Sequence, residues 1–167
     1  RTTMVVARHH KQLSELASDL RERGVAFSHG GTSIAGTARA RAVYNHRLLE
    51  QGRTLPIRDA ISLATFTASD RLKALRTTAR DIPDLHIDAN ALKKEAGIDV
   101  TCGWKDNLVK SDWDHKRNEQ LEAIINESGW EALIELPKID LTTYHACKGR
   151  EADHVVLFTD CYISAYR

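Results

Sequence analysis

Residues 140–160, DLTTYHACKGREADHVVLFTD, hold the densest run of side chains able to do chemistry. Within it stand the hydroxyls of Thr142 and Thr143, the imidazole of His145, the cations Lys148 and Arg150, and Gly149 between them. That mixture suits a phosphate backbone, because hydroxyls and cations donate to phosphate oxygens and a glycine lets the main chain come close. Glu151 and Asp153 add acceptors for ribose hydroxyls or for a neighbouring arginine. Cys147 follows His145 by two positions, but a strand-edge i, i+2 pair lacks the geometry of a nucleophilic dyad, and no third orienting group follows. His145, Cys147, His154 and Cys161 lack the CxxC or HxxxH spacing of a zinc site, so no metal ligand set is expected. The plain alternatives are that Thr142 and Thr143 are strand residues and that His145 is a loop histidine.

The surrounding elements are those of an α/β fold. Met4-Val5-Val6-Ala7 reads as a buried strand. Leu13, Leu16, Ala17 and Leu20 repeat at i, i+3, i+4 and i+7, which predicts an amphipathic helix over 11–23 stopped by Gly24. Val25-Ala26-Phe27 reads as a second strand, completing a β-α-β unit of a parallel sheet. Residues 28–36 (SHGGTSIAG) read as a loop, in which His29-Gly30-Gly31-Thr32 is a turn before it is a phosphate cradle. Thr37 is a suitable N-cap for a helix to Gln51, with Ala40, Val43, Tyr44 and Leu48 facing inward and Gly52 as its stop. From residue 56 to 136 strand-type runs give way to helical periodicity broken by Pro83, Gly97, Gly103 and Gly129, with Ser69 and Ser111 as caps. Trp104, Trp113 and Trp130 are expected as core anchors of that helical part. Ile139, Leu141 and Thr143 alternate as a strand, and Val155-Val156-Leu157-Phe158 reads as another buried one. In open parallel sheets ligands collect at the carboxyl ends of strands, where the loop 144–151 is expected.

The 167 residues are 42% hydrophobic and 28% charged, the composition of a globular chain. No apolar stretch approaches a membrane span and no signal peptide opens the sequence, so no membrane association is expected. Three cysteines are too few for a disulfide framework, which favours the cytoplasm. Net charge is +1, but residues 1–53 carry nine Lys and Arg against four Asp and Glu, whereas residues 54–137 carry eleven against fifteen. A basic segment beside an acidic one suggests an anionic partner on one side of the fold. The chain has no GxxxxGK[ST], so it is not a self-sufficient P-loop ATPase. Its opening at Arg1 on a strand edge leads us to expect a piece of a longer protein.

The pattern T-T-x-H-x-x-K-G-x-E before a hydrophobic strand resembles motif V of superfamily 1 DNA helicases of the UvrD/Rep/PcrA type. Thr143, His145, Lys148, Gly149 and Glu151 fall in register with it. The KGREAD form resembles phage and related bacterial members. Val5-Val6-Ala7-Arg8, then a helix and Arg23-Gly24-Val25-Ala26-Phe27, is similar to the opening of the family's second RecA-like domain (2A), and the likeness covers about half of the chain. It implies a RecA-like parallel sheet flanked by helices, with 1–55 and 137–167 forming domain 2A around a small helical insertion at 56–136. It implies that Thr143, His145 and Arg8 contact single-stranded DNA, and that Gly149 and Glu151 lie on the nucleotide side. Lys148 and Arg150 belong to the motif without an assigned role, and Arg150 departs from the usual leucine. The cofactors implied are ATP and Mg²⁺, held mainly by an N-terminal RecA-like domain that this sequence lacks, so no catalytic residue is expected here. The expected function is that of a fragment of an ATP-dependent DNA helicase, inactive alone. The rivals are a non-enzymatic nucleic-acid-binding or partner-docking module, and a small hydrolase or transferase using the 144–151 loop.

Overall fold

The computed structural model describes residues 1–67 and 72–158. The apolar run near the amino terminus becomes β1 (Thr3–Ala7), whose last four residues are all buried. A strand buried on both faces needs neighbours on both edges, and β1 has them: β6 (Ile139–Thr143) and β7 (His154–Leu157), both parallel to it. β2 (Phe27–His29) pairs parallel with β6, and β3 (Thr32–Ser33) returns antiparallel to β2. The order β3-β2-β6-β1-β7 makes an α/β fold with a mostly parallel sheet, as the strand and helix patterns predict.

Alternation along the strands assigns the two faces. Val5 and Ala7 of β1 and Leu141 of β6 point to one side, where Leu13 and Ala17 of α1 (His10–Glu22) complete a small core. Gly24 ends α1 at φ +66°, and a Cβ there would collide with the Ala123 carbonyl. Only glycine lets the chain turn that close to the neighbouring helix. The opposite face is crossed by residues 144–153, which connect the carboxyl end of β6 to the amino end of β7. The connections β1–β2 and β6–β7 move in opposite directions across the sheet, and right-handed crossovers moving oppositely must lie on opposite faces.

Three strand expectations change. Val25 still wraps the end of α1, donating to the Leu20 carbonyl at 2.9 Å, so the second strand starts only at Phe27. Residues 28–36 are not an open loop; most of their first half is the β2–β3 hairpin turning through Gly30 and Gly31 at positive φ. The run at 155–158 is buried only at its end: Val155, Val156 and Leu157 are 54%, 49% and 53% exposed, and Phe158 is half-buried against the small core. β7 is the outermost strand, and its hydrophobicity serves an edge that no described strand covers.

The middle of the chain is helical: α2 (Ala38–Glu50), α3 (Ile57–Ala64), α4 (Leu72–Asp81), α5 (Ala89–Ala96), α6 (Trp104–Asn107) and α7 (Asp112–Ser128). It also contains a short ribbon, β4 (Leu55–Pro56) against β5 (His86–Ile87), which helical periodicity did not reveal. The Thr37 hydroxyl caps α2 by accepting from the Ala40 amide at 3.1 Å. Ser111 opens α7 and Gly129 closes it at φ +84°. Ala40, Val43 and Leu49 of α2 are buried among Leu63, Leu75, Leu92 and Leu121, so α2 packs into the helical core rather than on the sheet. Of the three tryptophans, Trp104 is buried, Trp130 is half-buried under Arg47, and Trp113 is 72% exposed, against its expected role as a core anchor. The predicted cap Ser69 and the thiol of Cys161 lie outside the described residues. Among the described residues no helix is long and apolar enough to cross a membrane.

Candidate nucleic-acid interface

The carboxyl ends of β1 and β6 are neighbours, with Ala7 paired to Thr143. From these two ends the chain departs in opposite directions, toward α1 and toward the crossover, which makes a topological switch point. Arg8 and His9 leave β1 there, and His10 starts α1, so the amino end of a 13-residue helix points to the same edge. The Gln12 side chain accepts from the His9 amide at 3.3 Å and holds that first turn. Tyr144 crosses the end of β1: its amide donates to the Ala7 carbonyl at 3.2 Å and its hydroxyl donates to the Phe158 carbonyl at 3.1 Å. His145 follows, exposed, with Thr143 half-buried beside it.

Residues from the two ends of the sequence, Arg8, Thr143 and His145, are therefore brought to one edge. The hairpin adds His29, whose ring centroid lies 6.4 Å from that of His10. Sequence reading missed His10 and His29 as parts of this edge; the only signal was the SHGG segment, which looks like an ordinary turn. Arg8, His9, His10 and Lys11 are all exposed, so the edge offers cations and imidazoles at the amino end of a helix. Among the described residues no group of three or more His, Cys, Asp or Glu is arranged to hold a metal ion.

The rest of the motif does not stay at that edge. The Cys147 amide donates to the Thr143 carbonyl at 2.9 Å and the Arg150 amide to Cys147 at 2.9 Å, winding the chain back across the sheet. Cys147 is half-buried, its Sγ donating to the Tyr144 carbonyl at 3.2 Å, so it is tied into the turn rather than paired with His145. Arg150 then reaches Asp140 near the amino end of β6, 2.8 Å from Oδ2, while Ser28 donates to Oδ1 at 2.5 Å. Asp140 thus joins β2, β6 and the crossover, and Arg150 acts as the anchor of the crossover. Asp153 closes it by accepting from the Thr2 amide and hydroxyl, contacts that hold its carboxyl below the usual carboxylate range.

The expectation that all of 144–151 sits at the carboxyl ends is corrected accordingly. Glu151 lies with Thr2, Lys138 and Arg150 on a cavity of about 500 Å³ at the amino side of the sheet. Thr143 and Glu151 are separated by about the length of β6, or 13 Å at ~3.3 Å per residue. A ten-residue connection without a helix has to retrace the strand's length, which is why it cannot remain at one end. Glu151 is exposed and makes no ion pair among the described residues, so its carboxylate is free to accept from a hydroxyl. Gly149 has φ +78° and open space around it, so its role in the fold is the turn rather than a close approach. Lys148 is exposed on the crossover.

Beside the edge, Arg39 is the most enclosed cation described. It reaches Asp114 at 2.7 Å, Asn118 at 2.8 Å and the Leu108 carbonyl at 2.5 Å, tying α2 to α7. Burial lowers the Arg39 pKa, and the Asp114 charge partly offsets this. Burial alone would raise the Asp114 carboxyl, but amides of Lys110 and Ser111 and the Arg39 charge together hold it below the ordinary value. No protein-family model, curated protein or solved structure matches the chain.

Proposed function

We propose that this chain is part of a cytoplasmic ATP-dependent DNA helicase of the UvrD-like superfamily 1 type, forming the second RecA-like domain that grips single-stranded DNA. The observation that carries the reading is the gathering of Arg8, Thr143 and His145 at one switch point of a parallel sheet. The motif resemblance selects those residues independently of their position in space. Hydroxyl, guanidinium and imidazole donors at such an edge suit sequence-independent phosphate contacts.

ATP and Mg²⁺ would be held mainly by the N-terminal RecA-like domain of the whole enzyme. The free carboxylate of Glu151 fits a ribose contact, with Gly149 shaping the turn that delivers it. ATP supplies the phosphoryl-transfer energy; what this chain supplies is the grip, and a connection between Glu151 and His145 through the crossover pinned by Arg150. A change at the nucleotide side would reach the DNA edge through that pinned segment.

The test is fluorescence anisotropy of the purified chain with labelled oligothymidylate over a salt series. The expected result is weak binding that falls with salt. Arg8→Ala and His145→Ala should each weaken it, and Arg8→Ala should also flatten the log–log slope by roughly 0.7 for the phosphate no longer neutralised. Binding indifferent to salt and to both substitutions would refute the reading. In the parent enzyme, Glu151→Gln is expected to raise the KM for ATP while leaving DNA affinity near normal.

A further inference from the structure

We propose that the cavity between the β2–β3 hairpin and α7 is a binding site for a single nucleotide, its base lodged against Phe27 and Phe66 and its phosphate held by Arg21 and Arg117. The cavity measures about 540 Å³, inside the roughly 300–1,000 Å³ range of small-molecule pockets. Val25, Ile34 and Ile124 make its apolar floor, and among the described residues no carboxylate lines it.

The arginines differ in what they are free to do. Arg39, at the back, commits its donors to Asp114, Asn118 and Leu108. Arg21 and Arg117 are exposed at the mouth, and neither forms an ion pair among the described residues. Arg117 also stands close enough to Arg39 for their charges to repel, which an anion would relieve. The Arg21 guanidinium lies 5.5 Å over the Phe27 ring and that of Arg39 5.7 Å over the Phe66 ring, so each ring carries an arginine on one face and a base would extend these stacks from the cavity. Aromatic rings and guanidinium planes are the surfaces on which unpaired bases stack. An apolar floor with arginine-capped rings calls for a flat aromatic body, and two cations without ion pairs at the rim call for an attached anion. A nucleotide has both.

His29 lines the cavity and also faces His10, so the mouth opens toward the carboxyl edge of the sheet. The nucleotide can therefore be free or can be one residue of a single strand lying along that edge. The inference stands on the cavity and does not require the helicase reading.

Titration calorimetry of the chain with AMP, dTMP, adenosine and inorganic phosphate, accompanied by amide chemical-shift mapping, tests it. The expected result is saturable binding of the monophosphates with shifts at Phe27 and Ile34, adenosine weaker by about tenfold or more, and no saturable binding of inorganic phosphate. Arg21→Ala and Arg117→Ala are each expected to weaken the monophosphates by about tenfold, whereas Arg8→Ala leaves them unchanged. Competition with a short oligothymidylate separates the sources: displacement by dTMP assigns the site to a nucleotide of the strand, and simultaneous binding assigns it to a free nucleotide. Absence of monophosphate binding, affinity for phosphate equal to that for AMP, or indifference to both arginine substitutions in folded variants would overturn the proposal. Loss of oligonucleotide binding in Arg8→Ala with AMP binding intact would distinguish the edge from the cavity.

Discussion

His46 is fully buried, with Nε2 2.9 Å from Asn107 Nδ2 and Nδ1 3.1 Å from Glu50 Oε1. The Asn107 amide nitrogen can only donate, so Nε2 accepts and the ring proton sits on Nδ1, facing the carboxylate. Burial lowers the His46 pKa, and Glu50 opposes the shift in part. A base with a lowered folded pKa is protonated more readily in the unfolded chain. Its contribution is complete above the unfolded value of about 6.5 and declines as pH falls from there through the folded pKa. Melting temperature is expected to fall with pH in that window and to do so less steeply in His46→Gln. Asp114 acts lower on the scale, because its depressed carboxyl contributes above about 3.9 and loses that contribution as pH falls through its folded pKa. Removing its partner is a harsher test. Arg39→Leu leaves the Asp114 carboxylate enclosed without a counter-charge, which typically costs about 3 to 5 kcal/mol. A thermal melt should show this as a drop of several degrees, and Arg39→Leu combined with Asp114→Leu should recover part of it.

At the scale of elements, two contacts decide how the pieces lie. Gly24 lets the α1–β2 turn press on α7, and α1 touches both the sheet and α7. Gly24→Ala is expected to cost more than the ~1 kcal/mol of a strained positive φ, because the added carbon also displaces the Ala123 carbonyl. Chemical denaturation would show a lower midpoint at unchanged slope, and a variant as stable as the parent would contradict the close approach. The crossover offers a gentler case. Arg150 is partly exposed, so its pair with Asp140 is worth little globally, about 0 to 1 kcal/mol. Arg150→Ala should leave the melting temperature nearly unchanged while amide exchange speeds up across residues 144–153. Unaltered exchange there would mean that Arg150 is not the anchor.

For the whole molecule, the basic amino-terminal segment supplies Arg8, Lys11 and Arg21 to the sheet edge and the cavity, while much of the acidic surplus lies in the helical part. The division of charge along the sequence is only in part a division in space, since Arg39, Arg41 and Arg47 of the same segment lie on α2 in the helical part, and Arg117 of the acidic segment lines the cavity. The chain alone is expected to show no ATP turnover, with or without single-stranded DNA, since it has no Walker A lysine to hold a triphosphate. A coupled assay of purified protein checks this, and turnover above that of a Glu151→Gln control would count against the assignment of the motor to two domains.

Periodicity and punctuation were legible in the residues themselves. The MVVA strand, the α1 spacing, the Thr37 and Ser111 caps and the Gly24 and Gly129 stops all appear where local preferences put them, because each depends on neighbours within a turn or two. Strand order was not legible, and it decided most of what bears on function. Val155, Val156 and Leu157 are as apolar as Val5 and Val6, yet one run is an exposed edge and the other a centre, since burial belongs to a strand's place in the sheet. Arg8 and His145 are 137 positions apart and meet only because β1 and β6 pair. The same topology carries Glu151 away from His145, six positions earlier, because the connection must return along the full length of a parallel strand. Arg21, Arg39 and Arg117 come from three helices, and only the packing of those helices beside the hairpin makes them walls of one cavity. Short-range order was determined by the sequence alone; which residues share a surface was left to long-range pairing, whose partners no local pattern encodes.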